Sequence, residues 1–147
     1  MVNAKEYLKQ YGRIVQRIEI LKEELADAYR DFATIKSAWP DGERHAHGTD
    51  QTAEQAMKLI KYADGVIERI TAKIENAWRL RAEIISVVDQ VEDITTETVL
   101  LKHYIDMKDY DEISEDMGYS RRQVIRINNK GLSEVQEILE KMSPNVT

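Results

Sequence analysis

From Tyr7 onward, apolar residues return in alternating steps of four and three: Tyr7, Tyr11, Ile14, Ile18, Leu21, Leu25, Ala28, Phe32 and Ile35. That spacing keeps one face of an α-helix apolar and is the signature of a coiled-coil seam. Leu8, Val15 and Tyr29 widen the stripe on one flank, as expected of a helix with more than one neighbour. Pro40, Gly42 and Gly48 then break the pattern and predict a loop over about 36–51. A second periodic run, opening near Asp50 or Thr52, carries Ala53, Ala56, Ile60, Ala63, Ile67, Ile70, Ile74, Ala77, Ile84, Val88 and Val91, with Arg81 as its one interruption. Two seams joined by a flexible loop of roughly a dozen residues predict an antiparallel helical hairpin over residues 1–94, with helices of about 45–60 Å at a rise of about 1.5 Å per residue. Leu59, Val66, Trp78, Leu80, Ile85 and Val87 lie off the second seam. That surplus needs a further partner, either the C-terminal segment or another subunit, so a homo-oligomer through the hairpin is expected.

The pattern changes near Ile94-Thr95-Thr96, where β-branched residues and a new cap set a boundary. Leu100, Leu101, Tyr104 and Ile105 predict a short helix. The stretch from Tyr110 to Asn129, YDEISEDMGYSRRQVIRINN, then fits a helix-turn-helix. Asp111 to Met117 forms the first helix, Gly118 supplies the positive φ of a tight turn, and Ser120 opens the second helix as N-cap in a capping box with Gln123. Ile113 and Met117 face Val124 and Ile127, Tyr119 plugs the turn, and Ser114 is small where the helices cross. Ser120, Arg121, Arg122, Ile125, Arg126, Asn129 and Lys130 remain outside, where a recognition helix carries its base and phosphate contacts. Leu132, Val135, Ile138, Leu139 and Met142 continue the last helix until Ser143-Pro144. The chain therefore reads as an all-α protein with a hairpin over 1–94, a small domain over 95–143 and a tail over 144–147. A domain of some fifty residues sits near the lower limit for independent folding, so support from the hairpin is expected.

Charge sharpens this picture. The chain carries a net charge of -6, yet from Met117 to Ser133 it holds Arg121, Arg122, Arg126 and Lys130 and no acid. Overall acidity opposes promiscuous association with nucleic acid, so double-stranded DNA would be met by this one patch.

Extended on both sides, TTETVLLKHYIDMKDYDEISEDMGYSRRQVIRINNKGLSEVQEIL resembles region four of bacterial sigma factors, without gaps from about Leu100 to Leu139. The whole chain resembles phage and prophage late-transcription regulators of the ArpU/RinA type, in which a charged helical segment precedes a sigma-like domain. GYSRRQV carries that likeness most specifically. The resemblance implies a transcription regulator of phage late genes, and bacterial RNA polymerase as a second partner, with Asp109, Glu112, Glu115 and Asp116 as candidate charges toward it. An aromatic is common in the family where Ile125 stands, and an alanine where Gly131 stands. Gly131 in mid-helix costs about 1 kcal/mol against alanine and predicts a local kink.

Other chemistry is not signalled. There is no cysteine, hence no disulfide or thiolate metal site. His45, His47 and Asp50 share a polar loop but lack the spacing of a metal site. No phosphate-binding glycine loop, zinc-protease helix or nucleophile elbow occurs, and His103 reads as the flank of a small core, so a non-enzyme without cofactor or metal is expected. No apolar run approaches a membrane span of about 20 residues, which predicts a cytoplasmic protein without membrane contact. Two rival readings remain open: an adaptor whose sigma-like domain binds protein rather than DNA, and a DNA-packaging small subunit, which the order hairpin first, reader last makes the weaker.

Overall fold

The computed structural model describes residues 3–37 and 46–142, and side chains outside 35–52. All of its regular structure is helical: α1 (Ala4–Ser37), α2 (Ala46–Val88), α3 (Ile94–Tyr104), α4 (Tyr110–Met117) and α5 (Arg121–Met142). α2 begins at Ala46, several residues before the expected start near Asp50 or Thr52. Trp39 and His45, and the side chains of His47 and Asp50, fall outside what is described. Among the described residues no helix is long and apolar enough to cross a membrane.

The chain divides into two compact units, residues 1–15 with 76–147, and residues 16–75, so α1 and α2 each contribute to both. In the first unit, Ala4, Tyr7 and Leu8 of α1 and Ile84, Val87, Val88 and Val91 at the end of α2 form one core with Leu100, Tyr104, Ile105 and Val135. A cut at residue 94 runs straight through that core. The segment 95–143 thus leans on the ends of both long helices, and each fully buried aliphatic side chain there contributes about 1.5–3 kcal/mol. A second cluster, Val99, Ile113 and Val124, with Tyr110, Met117, Tyr119 and Ile127 packed around it, ties α3, α4 and α5 together.

In the second unit the α1 seam is covered as expected, with Ile18, Leu21 and Ala28 buried. Tyr29 is not part of it, standing 54% exposed. On α2 the register is shifted. Ala56, Ala63, Val66 and Ile70 are buried, whereas Ile60, Ile67 and Ile74 are exposed. Both registers share the row Ala56, Ala63, Ile70, Ala77, and the second row of the buried stripe runs through Leu59 and Val66, one residue before the expected one. Glu24 of α1 meets α2 by accepting from the Tyr62 hydroxyl at 3.3 Å and facing Arg69 at 3.7 Å.

Gly131 does not interrupt α5, which runs unbroken from Arg121 to Met142. A methyl group at this position would meet Thr96 Cγ2 at 2.9 Å and both Leu100 δ-carbons at 3.0 Å. The glycine is therefore what lets α3 approach α5 this closely.

Candidate nucleic-acid interface

Short helices hold only if their ends are satisfied, and the sequence around α4 supplies both ends. Asp109 accepts from the Glu112 amide at 2.8 Å, and Glu112 accepts from the Asp109 amide at 3.1 Å, a complete capping box. At the other end Gly118 takes φ 72°, and its N–H donates to the Ser114 carbonyl. The Ser114 hydroxyl in turn donates to the Tyr119 carbonyl, which fixes the exit of the turn. Ser120 then opens α5: its hydroxyl accepts from the Gln123 amide at 3.1 Å, and the Gln123 side chain accepts from the Ser120 amide at 2.8 Å.

The inner face of α5 is set by Val124, Asn128, Gly131 and Val135, all buried. Helical geometry then points Arg122, Arg126, Asn129 and Ser133, spaced four, three and four, directly away from the core. All are exposed. Neither Arg122 nor Arg126 makes an ion pair among the described residues. Lys130 is exposed beside this line and lies near enough to Asp93, the N-cap of α3, to help lower that carboxyl's pKa, after the hydrogen bond from Thr96.

Two of the sequence-predicted residues lie off this line. Arg121 turns toward α4, where its Nε is 3.2 Å from Asp111 and its guanidinium lies 5.8 Å from the centre of the Tyr110 ring. Ile125 is half-buried on the same side. Ser120 is exposed but occupied as a cap. Ser133, whose hydroxyl donates to the Asn129 carbonyl at 3.4 Å, continues the line four residues on and was not among the sequence-predicted residues.

Behind Arg121 stands a stack of rings. Tyr110 lies on His103 with centroids 4.5 Å apart and planes 17° apart, and His103 meets Tyr104 edge-on at 4.7 Å. His103 Nδ1 is 2.8 Å from the Lys108 carbonyl, which can only accept, so Nδ1 carries the proton. Asn128, 2% exposed, donates to the Tyr110 hydroxyl at 3.3 Å. This places His103 inside a scaffold that holds α4 against α5.

The acids of α4 are largely engaged as well. Asp109 and Glu112 cap the helix, Asp111 holds Arg121, and Asp116 lies 2.6 Å from Lys108 and 3.4 Å from Lys102. The hydrogen bond from Lys108, then that from Lys102, holds the Asp116 carboxyl below the usual carboxylate range, and Asp116 raises Lys108 in return. Glu115 makes no ion pair among the described residues.

Chemically, the outer line of α5 offers two guanidiniums, a carboxamide and a hydroxyl on a rigid rod. Arginine can bridge guanine O6 and N7 or clamp a phosphate, and asparagine can pair with adenine N6 and N7. Among the described residues no cluster of three or more histidines and carboxylates is arranged to hold a metal ion. No family profile, curated protein or solved structure matches this chain.

Proposed function

We propose that the chain is a sequence-specific DNA-binding transcription regulator, of phage or prophage late genes as its sequence resemblance implies. In this reading α4, the Gly118 turn and α5 are a helix-turn-helix with α5 as the recognition helix, and α1 with α2 is a helical hairpin that supports it. The observation that carries the reading is the line Arg122, Arg126, Asn129 and Ser133, exposed on a helix whose opposite face is locked into the core. Arg122 and Arg126 are the primary contacts, Asn129 and Ser133 extend them, and Lys130 adds a phosphate contact. Arg121 serves chiefly to position α5 against α4, with Ile125 beside it.

Contact with RNA polymerase deepens the proposal, and Glu115 is the α4 acid best placed for it, the other candidates being occupied as caps or ion pairs. The test is selection of bound fragments from a random DNA pool by the purified full-length chain. A recovered consensus is expected. Arg122→Ala and Arg126→Ala should each then weaken binding to it by about 1–3 kcal/mol, and Arg121→Ala by less. Failure to recover any consensus, with the protein folded, would replace this reading by the protein-binding adaptor.

A further inference from the structure

The buried stripe of α2 leaves a second apolar row in plain view. Met57, Ile60, Ile67 and Ile74 stand 56%, 43%, 39% and 37% exposed along one line of the helix, at coiled-coil spacing. Asp64 and Thr71 fill the remaining positions of the same line. From Met57 to Ile74 the row spans about 25 Å at a rise of about 1.5 Å per residue, enough for a specific helix–helix contact.

The charges beside the row bear on what could cover it. Each apolar residue is followed by an exposed charged one: Lys58 after Met57, Lys61 after Ile60, Glu68 after Ile67 and Glu75 after Ile74. The flank is therefore basic in its first half and acidic in its second. Lys58 already reaches back to Glu54 at 3.8 Å, an exposed contact that is easily exchanged. A polyanion is repelled by the acidic half, and a strongly acidic or strongly basic peptide matches only one half. A second copy of the same helix, run in the opposite direction, sets the basic start of each row beside the acidic end of the other.

We propose that this face of α2 pairs antiparallel with the same face of a second copy of the chain, centred on Ile67. In that arrangement Ile60 comes level with Ile74 of the other copy, and Asp64 comes level with Ile70, next to Thr71. Lys58 and Lys61 face the Glu75 end of the other copy, and the twofold axis repeats each contact. The inference is independent of the DNA reading.

Sedimentation velocity on the full-length chain provides the first measurement, with a dimer expected at tens of micromolar. Ile67→Glu, a surface change that leaves the helical signal intact, should raise the dissociation constant by about tenfold or more. Because the chain has no cysteine, single-cysteine variants give an orientation test in the same background. Ile67→Cys should cross-link to itself, and Ile60→Cys should cross-link to Ile74→Cys in a mixture but not to itself. A strict monomer, a dimer indifferent to Ile67→Glu, or efficient self-cross-linking of Ile60→Cys would each overturn the proposal.

Discussion

The two compact units bury their apolar residues in different ways. In the unit that contains α3 to α5, Leu8, Ile84, Leu100, Ile113, Val124 and Val135 are all at 0% exposure, because helices approach from several directions. Among the described residues of the unit 16–75 the helical segments are those of α1 and α2, and three of the buried residues, Ala28, Ala56 and Ala63, are alanines. A pair of helices can cover one stripe on each member and no more. The same composition therefore yields a deep core where three extra helices are present, and a thin seam with an uncovered row where they are not.

Deleting methyl groups on each side sharpens that contrast most. Leu100→Ala opens a fully enclosed cavity and should cost about 2–5 kcal/mol, toward the upper end, in chemical unfolding. Leu21→Ala, in a seam that can relax, should fall at the lower end of the same range. Equal losses would mean that the thin seam is packed as rigidly as the multi-helix core.

A substitution that adds atoms gives the next largest effect. On propensity alone Gly131→Ala should stabilise α5 by about 1 kcal/mol. The 2.9–3.0 Å approach to Thr96 and Leu100 predicts instead a net loss of about 1–3 kcal/mol. A gain in melting temperature would show that α3 can retreat at little cost, and that this core is softer than its burial implies.

The smallest effect is a pH dependence confined to the multi-helix unit. Burial, and then the charge of Glu83, pushes the Tyr7 phenol up to about 12, and its hydroxyl makes no hydrogen bond of acceptable geometry among the described residues. A folded-state value above the unfolded one of about 10 contributes stability that is complete below that pH and is lost as pH rises toward 12. Unfolding midpoints should therefore fall across this alkaline window. Tyr7→Phe should flatten the fall, though not abolish it, because burial raises Tyr104 in the same direction.

Much of this architecture was readable from local pattern. The α1 seam, the Ser120–Gln123 capping box of α5, the left-handed glycine at 118 and the inward set Ile113, Val124 and Ile127 all depend on neighbours within a few positions, where spacing and residue chemistry act directly. The basic outer line of α5 was legible too, since once Val124 is inside, helical geometry leaves Arg122 and Arg126 outside.

Three features depended on contacts between distant segments. Arg121 and Arg122 are adjacent and chemically identical, and only the position of Asp111 and Tyr110 across the turn draws the first away from the outer line. Gly131 reads as a weak point until Leu100 and Thr96 are set against it. On α2, the row Ala56, Ala63, Ile70, Ala77 is flanked on one side by Leu59 and Val66 and on the other by Ile60 and Ile67, equally apolar and equally periodic. Periodicity along one helix tells which residues share a stripe but not which of two stripes meets a neighbour. That choice needs the partner helix in place, and it left Ile60, Ile67 and Ile74 exposed.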